Sequence, residues 1–236
     1  NDVITMAHGG GGTATGRLVR DVVLSRASNP VLERLDDAAC VEVDDASVCI
    51  TTDSYVVAPL SFPGGDIGRL AACGTINDLA MQAARPLYLS MGLILEEGLE
   101  LDALRRIVGS LVDVLDRTGV RLVAGDTKVV QRGKGGGVFI NTTGIGRRLT
   151  GVDAGVWNAR PGDAVIVTGT LGDHGLAVLS GREGIAFESE ICSDVAPLWE
   201  LVEKLCGAVS TVHCLRDPTR GGVSAALCDI ARASGA

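Results

Sequence analysis

The sequence predicts a mixed α/β fold on three observations. Strand-like and helix-like segments alternate along the whole chain, the pattern of strands layered beneath helices. Apolar residues make up 46% of the 236, enough to bury a substantial core, and aromatics only 3%, so Val, Leu, Ile and Ala must fill it. The 32 glycines follow no collagen period and cluster at segment ends, where they read as tight turns and close approach of backbone to a ligand.

The elements follow in order. Residues 3–7 suit a short strand, and the glycine run Gly9 to Gly12 comes next. Residues 14–28 carry Leu18, Val19, Val22 and Val23 at helical spacing and stop before Asn29-Pro30. Residues 39–43 and 48–52 flank the turn Asp44-Asp45-Ala46 as a hairpin whose second strand ends at Asp53. Asp66 is placed to cap a helix reaching about residue 84, with Leu70, Cys73 and Asn77 on one face. Pro86 precedes a strand over 87–95. Leu104, Ile107, Val108, Leu111 and Leu115 mark an amphipathic helix that Gly119 closes. A buried strand over 120–124 delivers Gly125-Asp126-Thr127-Lys128, and a strand over 137–146 follows a polar, glycine-rich stretch. Residues 147–162 are poor in apolar side chains and read as a linker, dividing the chain into 1–150 and 151–236. Beyond it come a strand over 164–168, a helix opened by Gly172-Asp173-His174-Gly175, a helix over 195–205 and a strand over 212–215. That last strand leads into Asp217-Pro218-Thr219-Arg220-Gly221-Gly222 and a final helix.

Composition excludes several functions. A net charge of −8 argues against nonspecific nucleic-acid binding, which needs a basic surface. No stretch approaches the ~20 apolar residues of a membrane span. The start, Asn1-Asp2-Val3, lacks the basic and apolar regions of a signal peptide, so the cytosol is expected. None of the seven cysteines forms a Cys-x-x-Cys pair, and most have apolar neighbours, so reduced and buried thiols are expected over disulfides or zinc.

Three aspartates at segment ends point to chemistry: Thr51-Thr52-Asp53, Thr75-Ile76-Asn77-Asp78 and Gly125-Asp126-Thr127-Lys128. Carboxylates are the hard ligands Mg²⁺ prefers, with phosphate and water completing its shell. Asp53 alone reads as a turn or cap residue. Asp78 lies inside a helical pattern, where its poor propensity favours a role in function. In the third motif the acid suits Mg²⁺, the hydroxyl a phosphate and the lysine the charge of phosphoryl transfer, against the plainer reading of a turn with a solvated lysine. Gln131-Arg132-Gly133-Lys134 adds positive charge nearby. Residues 11–18 nearly form a P-loop, but Arg17 and Leu18 stand at its lysine and hydroxyl positions. The run 9–14 fits a dinucleotide pattern, with Asp36 and Asp37 at a suitable distance, yet these precede a strand and a hairpin follows. A mobile loop and a phosphate cover stay open for the run, and His8 beside it is equally ambiguous. Asp217 and Thr219 suit either an anion site at a helix start or plain caps. His174 divides evenly between acid–base work and structure, and His213 reads as structural.

Longer motifs then resolve into a resemblance. Residues 7–12 (Ala-His-Gly-Gly-Gly-Gly), 52–56 (Thr-Asp-Ser-Tyr-Val), 62–65 (Phe-Pro-Gly-Gly), 73–78 (Cys-Gly-Thr-Ile-Asn-Asp), 125–133, 170–175 (Thr-Leu-Gly-Asp-His-Gly) and 217–222 together resemble the HypE family of carbamoyl dehydratases in NiFe-hydrogenase maturation. That family belongs to the aminoimidazole ribonucleotide synthetase-like superfamily. The resemblance spans the chain and keeps the motif order.

It implies a PurM-like two-domain α/β (α+β mixed) fold. An N-terminal ferredoxin-like domain would bind ATP and dimerise by joining two four-stranded sheets into a barrel, and the C-terminal α/β domain would be incomplete. Lys128, Asp78 and His174 would be catalytic. Nucleotide contacts would come from His8, Gly9, Gly10, Gly11, Gly12, Asp53, Asn77, Asp126, Thr127, Lys128, Asp217, Thr219 and Arg220. Asp37, Asp53, Asp78 and Asp126 would hold Mg²⁺. The partners implied are a second copy and the carbamoyltransferase and iron-scaffold maturation proteins, with neither nucleic acid nor membrane. The implied reaction turns a thiocarbamoylated C-terminal cysteine into a thiocyanate with ATP. The family's tail ends in Pro-Arg-x-Cys and this sequence stops at Ala236, so a C-terminally truncated chain without turnover in cis is expected. Other ATP-dependent branches of the superfamily, such as selenophosphate synthetase or thiamine-phosphate kinase, and a non-catalytic dimeric scaffold for maturation partners, are the alternatives.

Overall fold

The computed structural model describes residues 3–182 and 191–235. Its first turn, Met6–Gly9, is 3-10 helix where a strand over 3–7 was expected, because no backbone lies beside it to form a ladder among the described residues. The apolar period over 14–28 gives one helical run: α1 (Thr13–Leu18), a π-helical stretch (Val19–Leu24) and the turn α2 (Ser25–Ala27).

β1 (Ala39–Val43) and β2 (Ala46–Tyr55) form the expected hairpin, although β2 runs past Asp53, which therefore lies within the strand. Register sets Cys40 opposite Cys49, and a disulfide joins them with Cα atoms 4.1 Å apart. This corrects the expectation that every cysteine is reduced: the hairpin, and no sequence motif, makes these two neighbours. Cys192 and Cys228 are exposed, so burial is not general either.

A short ribbon, β3 (Ser61–Phe62) with β4 (Gly65–Asp66), leads into α3 (Ile67–Met81). Asp66 caps that helix, its carboxylate accepting from the Arg69 amide at 2.9 Å. β5 (Ala84–Glu96), α4 (Leu101–Thr118) and β6 (Arg121–Val130) form a β-α-β unit with parallel strands, and Gly119 at φ 69° ends its helix. β7 (Val138–Arg148) inserts antiparallel between β2 and β5, giving the order β1-β2-β7-β5-β6, five strands where the resemblance implies four. Farther on stand α5 (Asp173–Ser180), α6 (Trp199–Ala208) and α7 (Gly222–Ser234). Residues 164–168 and 212–215 are not strands: no ladder forms along them among the described residues, the Leu215 amide alone donating to the Ala154 carbonyl at 3.0 Å, and Val165 and Ile166 are 73% and 80% exposed. A strand exists only as one side of a ladder, which an apolar run cannot announce.

The core lies between α3, α4 and one face of the sheet. Ile67, Ile76, Leu89, Leu111, Val114 and Ile140 are buried there, and Trp199 of α6 packs against it. At the crossing of α3 and α4, a Cβ on Gly68 would lie 2.0 Å from the Ile107 carbonyl oxygen, so only glycine lets the helices meet this closely. The opposite face of the sheet exposes Ile50, Ile94 and Ile145. β6 is an edge strand with residues 121–129 exposed throughout, which corrects the expectation of a buried strand over 120–124. No described helix is long and apolar enough to cross a membrane.

Candidate active site

Asp78 sits in the interior of α3, at a helix position that disfavours aspartate, and is 9% exposed. It faces β2, whose inward residues alternate as Cys49, Thr51, Asp53 and Tyr55. Thr51 reaches Asp78 Oδ2 at 2.8 Å and the Asp37 carbonyl oxygen at 3.0 Å, tying the loop before β1 to α3. Asp217, also buried, arrives on the segment before α7. Carboxylate oxygens of Asp37, Asp78 and Asp217 all lie within 4.8 Å of one another.

Burial is the main force raising the pKa of all three acids, and neighbouring carboxylates add to it. Asp53, Asp217 and Asp37 act on Asp78, and Asp217 and Asp36 act on Asp37. Asp36 itself is pushed up to about 6, chiefly by burial. Arg216 opposes the rise at Asp36, Asp37 and Asp217: it is ion-paired with Asp37 and reaches Asp229 at 3.5 Å. Three desolvated carboxylates against one guanidinium favour a bound cation, and an all-oxygen donor set suits Mg²⁺. The residues therefore fit the ion.

The expected site residues divide among several places. Asp53 is close enough to act on Asp78 and Asp217. Asp126 is not brought to them within one chain: it pairs with Gly92, Gly92 with Asn141 and Asn141 with Ser54, a row whose Ser54 lies on the uncovered face. Asp53 belongs to the alternate row and faces the helices, so the two carboxylates project from opposite sides of the sheet. Asp126 and Lys128 are ion-paired at 2.6 Å and exposed, with Thr127 between them on the strand. Asn77 spends its amide on the entry to α6, donating to Ala196 O at 3.0 Å and accepting from Leu198 N at 2.8 Å. His174 Nδ1 is 2.9 Å from Ser193 Oγ and its ring meets Phe62 edge-on at 5.2 Å; burial lowers its pKa. His8 is half-buried and bonded to Thr5. The glycine run 9–12 lies at the 217–222 loop, where a Cβ on Gly11 would fall 2.9 Å from Arg220 Cβ. Thr219 and Arg220 are exposed on that loop. Asp217, expected as a nucleotide contact, joins the carboxylates that could hold the ion, since folding brings it beside Asp78.

This fold, with acids meeting from both halves of the chain, defines an AIR synthase related protein. The N-terminal domain of that family matches residues 35–148 and its C-terminal domain residues 160–236. The carbamoyl dehydratase HypE of Azotobacter vinelandii is 48% identical over 235 residues, spanning 100% of this chain and 69% of the relative. A crystal structure of a HypE–HypF complex superposes with a TM-score of 0.87 at 46% identity, covering 92% of this chain and 70% of that one. A HypE crystal structure in complex with ATP gives a TM-score of 0.78 at 49% identity, covering 98% and 69%. The chain belongs to the HypE family of carbamoyl dehydratases, which are enzymes of hydrogenase maturation.

Proposed function

We propose that this chain provides the Mg-ATP half of an enzyme that dehydrates a C-terminal cysteine thiocarboxamide to a thiocyanate, the source of cyanide for the iron of a NiFe centre. One observation carries the reading: buried carboxylates from both halves converge in a chain 48% identical to a carbamoyl dehydratase. A carbamoyl oxygen is a poor leaving group. Once it accepts the γ-phosphoryl group of ATP, loss of the nitrogen protons and expulsion of phosphate leave a C≡N group on sulfur, with ADP as co-product. Asp37, Asp78 and Asp217 would hold Mg²⁺, with Asp53 beside them. The ion, when bound, neutralises phosphate charge.

Gly9 to Gly12 with His8 would cover the phosphates, and the contact of Gly11 with Arg220 supports placing Thr219 and Arg220 beneath them. Asp126, Thr127 and Lys128 would enter from a second copy, with Lys128 offsetting charge in the transfer. The open edge of β6 and the uncovered sheet face support that homodimer. Residues 1–150 would form the ATP-binding and dimerisation domain and 151–236 the C-terminal domain, in a cytoplasmic protein. His174 is the candidate for moving the nitrogen proton, while Asn77 would serve the nucleotide only by shaping the wall near α6. The HypE–HypF complex supports a maturation partner, and an iron-scaffold partner completes the proposal.

Calorimetry tests this: ATP should bind only with Mg²⁺, and Asp78→Asn should abolish binding. That complex also favours a second reading, a non-catalytic scaffold, which would bind its partner unchanged after Asp78→Asn and show no Mg-dependent nucleotide binding.

A further inference from the structure

A chain of buried hydroxyls runs behind the acid cluster and ends on Asp53. Tyr55 Oη lies 3.1 Å from Asp53 Oδ2 and 3.2 Å from Thr75 Oγ1. Thr75 is hydrogen-bonded in turn to Thr142 Oγ1, and both threonines are 0% exposed. The links come from three elements, β2, α3 and β7.

A carboxylate only accepts, and each hydroxyl has one proton to give. The direction of the chain is then fixed: Tyr55 donates to Asp53, Thr75 to Tyr55 and Thr142 to Thr75. Hydroxyls aligned in one sense polarise one another and strengthen the terminal bond. The phenol is also held sterically, since a Cβ on Gly74 would lie 2.3 Å from Tyr55 Oη. Thr51 secures Asp78 in the same manner from one pleat farther along β2.

We infer that Tyr55 is a positioning residue: through this hydroxyl chain it fixes the Asp53 carboxylate beside Asp78, and so sets the affinity for Mg-ATP without contacting the ion. The inference rests on the Mg-ATP reading above. Tyr55→Phe keeps the ring and removes the donor. Calorimetry with Mg-ATP should show binding weakened about three- to tenfold, the worth of one ordinary hydrogen bond, since Tyr55 acts on the ion only through Asp53. Titration with Mn²⁺ alone, read by electron paramagnetic resonance, should weaken in parallel. Thr142→Val breaks the chain two links away and should give a smaller loss in the same direction, while Thr142→Ser restores it. A merely structural tyrosine would lower the melting temperature and leave both titrations unchanged, which would overturn the inference alone. Absence of Mg-dependent binding by the unmodified chain would overturn the functional reading as well. If Tyr55→Phe does not fold, the two Thr142 variants decide, equal affinities counting against the inference.

Discussion

Asp78→Asn should make the metal-free protein more stable while removing its response to Mg²⁺. Asparagine keeps the shape and an oxygen to accept from Thr51, but replaces an acid that must either ionise or take up a proton in a group whose oxygens lie within 4.8 Å of one another. Two unit charges at that distance interact by about 3.5 kcal/mol at an effective dielectric near 20. Asp78 faces two such neighbours, Asp37 and Asp217, yet the full repulsion is not expressed. The raised pKa values mean that part of the cluster is protonated at neutral pH, and Arg216 offsets part of the remainder. A net gain of about 2 kcal/mol is the reasonable expectation, or about 4–8 °C in melting temperature for a chain of this size. Thermal unfolding of both proteins in a chelator and in excess Mg²⁺ measures it. The unmodified protein should rise with Mg²⁺, and the variant should start higher and stay there. A variant less stable in chelator would refute the idea that these acids are held against their own repulsion. A variant still stabilised by Mg²⁺ would refute Asp78 as a ligand.

The cluster also predicts a pH dependence. Folded-state pKa values of Asp36 and Asp37 are raised from 3.8 to about 6 and about 7, so the folded chain binds the extra protons. Stability in chelator should therefore fall as pH rises from about 4 to about 7, and Mg²⁺ should flatten that slope in a series of denaturant titrations; a rising slope would contradict the assignment. Arg216→Met strips Asp37 of its counter-charge in a buried setting and should cost about 3–5 kcal/mol, most of it recovered by adding Asp37→Asn, as a double-mutant cycle would show. Val123→Lys with Val129→Lys on β6, both apolar and exposed, should shift sedimentation toward monomer, and an unchanged oligomeric state would argue against assembly through that edge.

Local chemistry was legible in the sequence. The Asp66 cap, the amphipathic stripe of α4 and its glycine stop, and the 39–52 hairpin each depend on residues a few positions apart, and each forms. The cost of aspartate inside α3 likewise marked Asp78 as a residue with a task. What could not be read depends on partners supplied from far away. Asp217 lies on the other side of the linker from Asp78, and nothing near either residue announces the other. Asp126 looked equivalent to Asp53 because both end apolar runs, yet pairing through β7 and β5 turns them to opposite faces. The apolar run at 164–168 carries a strand pattern with no neighbour among the described residues to complete it.

Arg216 and Asp217 join a cluster of side chains otherwise built from the first half of the chain. An ion seated there would be bound by both halves at once, so its binding energy would couple their unfolding. With it, the protein should melt as one cooperative unit; without it, the later segment should open first, at lower temperature. Ion occupancy would then determine whether the protein behaves as one folding body or two.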